Sequence, residues 1–273
     1  MKLVLGGGGV RSLAFVGTLE VLKRDGYLDS IDEIIGISAG CLLGLNVLLG
    51  IGTCESVKLL HKTYPFVSSE LKLTNLINVF GLSRGEMLGD YIKSILKIRG
   101  IEPDITFVSL YKLFPVRFTV GTTNIVTGLG NMYSAEDDVS VVDVMMASCA
   151  IPFYYVPVKI NGHLHIDGGI AWHNLPVQMM TNTDDIGINV DTTIEDSVPN
   201  SLSGYITRIA GLMSHRLIHT KAHNYDPRII YVDSNVGNII MNCIKDEMMQ
   251  SILNSGREAG ELYIKNHPKE CVH

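Results

Sequence analysis

A serine inside a glycine-flanked pentapeptide has the clearest chemical setting in this chain of 273 residues. Residues 36–40 read Gly-Ile-Ser-Ala-Gly, the pattern G-x-S-x-G around Ser38. Apolar residues before the pattern favour a buried strand, and those after it favour a helix. Such a sharp strand-to-helix turn, with Gly36 and Gly40 as the small residues at its ends, exposes the serine oxygen beside a helix N-terminus. The pattern therefore predicts a nucleophilic Ser38.

A nucleophilic serine needs a base, and Asp167 is the candidate. In α/β-hydrolases a histidine fills this role, and several strands precede the serine. Here Ser38 follows only the second predicted strand, and none of the nine histidines has a recognisable catalytic setting. Asp167 ends a predicted strand and is followed by Gly168 and Gly169, so it could approach a hydroxyl closely. Partial burial would raise its pKa and make it a better base, although most Asp-Gly-Gly sequences are plain turns.

A run of four glycines at residues 6–9 stands between a predicted strand and a predicted helix. Bare backbone N–H groups and the helix dipole make such a junction an anion site. A P-loop would continue with Gly-Lys-Ser/Thr, and the dinucleotide fingerprint would need glycine at Arg11 or Ser12, so nucleotide binding fits poorly. A tight turn without a ligand remains the alternative.

Predicted strands and helices alternate along the chain, and each of these three segments follows a predicted strand. Asn161 and Gly162 mark a hairpin turn, Ser140 is a predicted N-cap, and no linker or repeat divides the sequence. This alternation predicts an α/β fold of three layers, α/β/α, with a central mostly parallel or mixed sheet. Strands are predicted at 2–5, 32–37, 116–122, 156–160, 163–166, 185–190 and 228–232, and helices at 12–24, 39–49, 55–64, 85–99, 140–149, 202–223 and 245–266.

Taken together, the three segments resemble the patatin-like phospholipases. That family has a G-G-G-x-R/K-G loop, a G-x-S-x-G elbow and a D-G-G/A motif in this order. The loop here occupies residues 7–12, with Ser12 in place of its last glycine. The segments 120–128, 147–158 and 255–259 also look like the family. The resemblance is thinnest at 58–83 and 194–225, and implies one domain at 2–265 with a short tail at 266–273.

The resemblance implies a lipid acyl hydrolase with a Ser38–Asp167 dyad. Backbone N–H groups of Gly8 and Gly9 would form the oxyanion hole, and Arg11 would hold the loop or add positive charge near a lipid phosphate. The family acts without calcium or another cofactor on acyl esters of phospholipids and other lipids, so lipid substrate and transient contact with a membrane surface are the expected partners. The remaining motif residues would support the site: Gly7, Gly36, Gly40, Gly168 and Gly169.

Two other functions stay open. His163, His165 and Asp167 alternate along a strand and begin a metallo-hydrolase signature, but Gly168 stands where the next histidine belongs. The glycine loop could also serve a lipid- or nucleotide-binding protein without chemistry, which the presence of both dyad residues disfavours. Three histidines repeat at the four-residue spacing of one helical face, namely His215, His219 and His223. This spacing is compatible with a metal site, a pH sensor or a solvated face.

Composition excludes several classes of protein. The uncharged stretch 34–54 is 21 residues long, which is enough for a bilayer span. Its five glycines argue against a membrane helix, and so does the lack of a Lys or Arg cluster on either flank. The first five residues are too short for the apolar core of a signal peptide. A net charge of −6 gives no reason to expect nucleic acid as a partner. The five cysteines form no C-x-x-C pair, which predicts reduced thiols and an intracellular, cytoplasmic protein that is soluble or peripherally membrane-associated.

Two apolar features have more than one interpretation. Residues 66–82 are apolar and weakly patterned, as in a lid, a membrane-touching element or packed core. Methionine pairs at 145–146, 179–180 and 248–249 could line a lipid channel, although core filling is their commoner role.

Overall fold

The computed structural model describes residues 1–52, 55–57, 71–190, 205–206, 208–209, 212, 226–233 and 246–269. The predicted helix at 55–64 is described only at 55–57, and the one at 202–223 only at five positions, all of them helical. His215, His219 and His223 lie outside the described residues, as do Cys54 and Cys243.

The centre of the molecule is a mixed eight-stranded sheet. Its main path runs β10-β9-β1-β2-β4-β8-β7, and β5 pairs with β4 beside that path. The neighbours from β10 to β4 are parallel, whereas β5 and β8 are antiparallel to β4. The strands are β1 Lys2–Leu5, β2 Glu33–Ile37, β3 Gly81–Ser83, β4 Arg117–Asn124, β5 Gly130–Tyr133, β6 Phe153–Tyr155, β7 Val158–Ile160, β8 His163–Asp167, β9 Ile186–Val190 and β10 Ile229–Val232, and β3 pairs with β6 in a separate two-stranded sheet.

Helices connect the strands much as the alternation predicts. The helices are α1 Leu13–Arg24, α2 Ala39–Leu48, α3 Leu73–Val79, α4 Glu86–Ile98, α5 Phe107–Leu113, α6 Val141–Ser148, α7 Gly169–Trp172 and α8 Asp246–Asn266. The Ser140 hydroxyl caps α6 by accepting a hydrogen bond from the Asp143 N–H at 3.2 Å, as predicted. Six elements were not predicted, namely α3, α5, α7, β3, β5 and β6, because none is longer than seven residues.

The uncharged stretch after Glu33 folds as a buried strand, a turn and a buried helix. It forms most of β2 and all of α2, whose residues are mainly buried. In the described part of the chain, no helix is both long and apolar enough to cross a bilayer.

Two cores sandwich the sheet. The large one holds Leu5, Ile34 and Phe118 against α1, α2, α4, α6 and α8. The small one, on the opposite face, holds Val4 and Ile35 against residues 175–180. The arrangement is the predicted three-layer α/β/α fold. The described methionines of the three pairs pack in or against these cores, as core filling requires.

One edge of β4 brings β2 and β8 end to end. Ile37 of β2 pairs with Gly121, and Asp167 of β8 pairs with Thr122, the next residue along β4. Strand β5 also pairs with Gly121 and Thr122 of β4. Because a strand has only two edges at which another strand can pair, β5 must lie along the other edge of β4. The last residues of β2 and β8 therefore meet beside the centre of β4, which positions the residues that follow Ile37.

Candidate active site

Ser38 lies at the turn between β2 and α2 with a left-handed backbone. Its φ is 52°, a region in which non-glycine residues are strained by about 1–3 kcal/mol. Close packing explains the glycines on either side. A Cβ on Gly36 would overlap the backbone of Cys41, and one on Gly40 would overlap the carbonyl oxygens of Leu5 and Gly6. The turn thus has the geometry of a nucleophile elbow.

The hydroxyl of Ser38 donates a hydrogen bond to Oδ2 of Asp167 over 2.8 Å. The other carboxylate oxygen, Oδ1, accepts the backbone N–H of Gly169 at 2.7 Å. Gly168 between them packs so tightly against the Gly121 carbonyl that a Cβ would overlap it. The Asp-Gly-Gly sequence therefore holds a carboxylate in contact with the serine oxygen.

The surroundings of Asp167 adjust its basicity. Burial raises the pKa of Asp167 to about 6, against the opposing effect of the hydrogen bonds from Gly169 and Ser38. A carboxylate with this pKa is ionised at neutral pH and accepts a proton more readily than an ordinary aspartate. The arrangement has the chemical requirements of a nucleophile and its general base.

Ser148 and Thr123 support the two residues and were not assigned roles from the sequence. The Ser148 hydroxyl accepts the N–H of Ser38 at 2.9 Å and donates to the carbonyl of Gly121 at 2.7 Å. The Thr123 hydroxyl donates to the carbonyl of Asp167 at 2.8 Å. For Ser148 one signal was available, since a serine that ends an otherwise apolar helix pattern must find a buried partner.

The glycine run lies against the elbow. A Cβ on Gly7 would stand 3.2 Å from the Cβ of Ser38, so the glycine loop and Ser38 are in contact. The N–H of Gly6 bonds the carbonyl of Ile188, and the N–H of Gly7 bonds that of Asn174 at 3.0 Å. Among the described residues, the backbone N–H groups of Gly8 and Gly9 donate no hydrogen bond.

The chain after Gly9 leaves this loop through a helical turn. Gly9 has a φ of +57°, and a 3-10 turn, Gly9–Ser12, follows and leads into α1. Arg11 is half-buried in this turn, and Ser12 is buried. The loop therefore presents donors at the start of a helix beside Ser38, which is where negative charge is stabilised.

The two histidines of β8 have protein partners. Nδ1 of His165 lies 2.9 Å from the Thr122 hydroxyl, and its Nε2 lies 3.3 Å from the hydroxyl of Tyr133. Nδ1 of His163 lies 3.0 Å from the amide nitrogen of Asn124. Within the described ranges, no three His, Cys, Asp or Glu side chains are grouped so as to hold a metal ion.

Two cysteines lie beneath the elbow. Cys41 and Cys149 are buried and free, with their Sγ atoms 4.0 Å apart. Contact with Cys41 and burial raise the pKa of the Cys149 thiol, which favours the uncharged form of Cys149.

A comparison with protein families identifies one family for this chain. A model of the patatin-like phospholipases matches residues 3–181, a range that includes the glycine loop, the elbow and Asp167. The chain belongs to this family.

Individual relatives are distant. A protein of Invertebrate iridescent virus 6, named a probable lipid hydrolase, is 27% identical over 192 residues, which cover 65% of this chain and 62% of that protein. An NTE family protein of Mycobacterium bovis is 28% identical over 211 residues, which cover 75% of this chain and only half of the relative. The crystal structure of VipD from Legionella pneumophila superimposes with a TM-score of 0.58 at 15% identity, over 97% of this chain and 67% of VipD, which shows a common fold.

Proposed function

We propose that this protein hydrolyses acyl ester bonds of lipids through a Ser38–Asp167 dyad. The observation that carries the proposal is the 2.8 Å hydrogen bond from the serine hydroxyl to a buried carboxylate, at a strained strand-to-helix turn. Family membership and a viral relative named as a lipid hydrolase support lipid esters as the substrate class.

In the first half of the reaction, Asp167 takes the proton of the Ser38 hydroxyl while Oγ attacks the ester carbonyl carbon. The resulting oxyanion accepts hydrogen bonds from the N–H groups of Gly8 and Gly9. Each fixed donor of this kind contributes about 3 kcal/mol to the transition state. Collapse of this intermediate breaks the ester bond, and Asp167 returns its proton to the departing alcohol.

In the second half, water attacks the acyl-enzyme. Asp167 removes the proton of the water, a second oxyanion forms in the same loop, and the proton passes to Ser38 as the fatty acid leaves. No step in this scheme uses a metal, so we propose that the activity is independent of calcium. Arg11 lies in the turn after the loop, where its charge would favour the phosphate end of a lipid.

A fluorophosphonate probe tests the nucleophile. We expect it to label the intact protein at Ser38, and we expect Ser38→Ala to abolish both labelling and hydrolysis of a short-chain soluble ester. Asp167→Asn should keep the fold and lose most turnover, because the amide cannot accept the proton.

Chelation provides the control against the metallo-hydrolase alternative. Activity should be unchanged in excess EDTA, whereas a loss of activity there would favour the metal-dependent reaction. Unchanged hydrolysis by the Ser38→Ala protein would exclude the serine mechanism. Lipid binding by a protein that neither reacts with the probe nor hydrolyses any ester would instead favour the non-catalytic alternative.

A further inference from the structure

We propose that an exposed apolar face beside the site docks on an anionic lipid bilayer. This docking face consists of Leu73, Ile77 and Phe80, at and just after α3, together with Phe153 of β6. The inference deepens the proposed function, since it names the physical form in which substrate is reached. The docking itself requires no catalysis.

The apolar stripe on α3 points to solvent. Leu73, Ile77 and Phe80 follow the i, i+4, i+7 spacing of one helical face, and they are 65%, 80% and 60% exposed. No residue of α3 is buried. Leu76, which flanks this stripe on the helix, packs against a small core of Leu82 and Tyr154, whereas the three residues of the stripe belong to none of the described hydrophobic cores. A helix that is apolar on its solvent side indicates an interaction surface.

Phe153 makes the surface continuous across two elements. It pairs with Gly81, the residue after Phe80, in the β3–β6 sheet, and it is 55% exposed. Adjacent strands lie about 4.8 Å apart and consecutive Cα atoms about 3.8 Å apart, so the Cα atoms of Phe80 and Phe153 lie within about 9 Å of each other.

Charge identifies the occupant. Residues 71–85 contain two cations, Lys72 and Arg84, and no acid, although the whole chain carries a net charge of −6. Both cations are exposed, and neither forms an ion pair with a described residue. Two acids adjoin this range in the sequence, Glu70 before it and Glu86 at the start of α4. Apolar side chains flanked by basic ones match a bilayer that contains anionic lipid, where each cation near the surface contributes about 1 kcal/mol.

The docking face is close to the dyad. The N–H of Asp167 bonds the carbonyl of Ala150, and Phe153 follows Ala150 by three residues. Consecutive Cα atoms are about 3.8 Å apart, so Phe153 lies within about 11 Å of Ala150, the hydrogen-bond partner of Asp167. A bilayer in contact with Phe153 would bring its ester groups near Ser38.

Vesicle binding tests the proposal without hydrolysis if every protein carries Ser38→Ala. We expect co-sedimentation with phosphatidylcholine vesicles that include phosphatidylglycerol, and weaker binding without it. Leu73→Gln with Ile77→Gln should weaken binding roughly tenfold, because two exposed aliphatic groups are lost. Lys72→Gln with Arg84→Gln should weaken binding only to the anionic vesicles. Leu262→Gln on α8, where the leucine is 59% exposed, is the matched control and should bind normally.

The proposal would be overturned if Leu73→Gln with Ile77→Gln left vesicle binding unchanged. It would also be overturned if the control, Leu262→Gln, weakened vesicle binding equally. Light scattering tests whether a second copy of this chain covers the face instead. If the Leu73→Gln, Ile77→Gln variant formed a smaller oligomer but bound vesicles normally, the face would be a self-association surface. The same double variant with Ser38 intact should hydrolyse a soluble short-chain ester normally and vesicle phospholipid more slowly. Absence of all hydrolysis would count against the proposed function while leaving the vesicle result valid.

Discussion

Ser38 and Asp167 are 129 residues apart in the chain and share one buried hydrogen bond. Burial of the carboxylate has a cost in stability, because the charged form is poorly solvated. The same burial raises the pKa of Asp167 to about 6, which makes it an effective base near neutral pH. At this residue, basicity is gained at the expense of folding free energy.

Replacing the carboxylate should therefore stabilise the protein. The pKa of Asp167 rises from 3.8 to about 6 on folding, so above pH 6 the folded state holds a charge that the unfolded state solvates better. We expect Asp167→Asn to raise the free energy of unfolding by about 2–3 kcal/mol at pH 7.

The gain should shrink as the pH falls through 6 towards 4, since the folded wild-type protein then takes up the proton and loses its penalty. Urea unfolding of both proteins at several pH values measures this difference. A gain that is independent of pH, or a loss at pH 7, would contradict the assignment of a raised pKa.

We expect Ser148 to position Ser38 rather than to react. Ser148→Ala leaves the buried N–H of Ser38 without an acceptor, at a cost of about 1–3 kcal/mol, and frees the strained turn to relax. We expect kcat on a soluble ester to fall roughly tenfold with little change in KM.

Ser140→Ala removes the N-cap of the same helix and provides the comparison. It should lower stability by about 1 kcal/mol and leave kcat unchanged. Equal kcat values for the two variants, measured well below their unfolding temperatures, would mean that Ser148 is only structural.

At the scale of elements, α1 and α8 are held together by backbone contact. A Cβ on Gly256 of α8 would overlap the carbonyl oxygen of Ala14, and one on Gly17 of α1 would overlap that of Leu253. The Thr18 hydroxyl donates across this contact to the carbonyl of Gly256 at 2.8 Å. Since α1 begins just after the glycine loop, its position also determines where the loop donors lie.

Gly256→Ala should consequently separate the two helices. We expect the free energy of unfolding to fall by about 2–4 kcal/mol, in the range of overpacked cores, as measured by thermal or urea unfolding. Gly52→Ala is the control, because a Cβ there meets no atom within 4 Å. Equal stability of the two variants would show that α8 shifts without cost.

For the molecule as a whole, the decisive feature is the use of β4. One edge of this strand receives β2 from one end and β8 from the other, so the end of each lies beside Gly121 and Thr122. Helices cover one face with the large core, and Phe153 of the docking face follows Ala150, whose carbonyl accepts the N–H of Asp167, by three residues. The fold thereby places the dyad and the apolar patch in one region.

Local patterns predicted most of the long elements. The hydrophobic period of α1, the Asn161-Gly162 hairpin and the Ser140 cap depend on neighbours in sequence, and each is present. Short elements such as α3 and β6 were missed, because their residues are ordered by contacts with each other rather than by propensity.

By itself, the sequence determined the motifs: the small residues around Ser38, the glycines after Asp167 and the loop at the start of α1. These depend on local backbone requirements, which a short sequence records. Only the tertiary structure decided that Asp167 meets Ser38, that Ser148 supports the turn and that the stripe on α3 faces solvent. Each of these depends on the register of distant strands and on burial, and neither is encoded in the spacing of nearby residues.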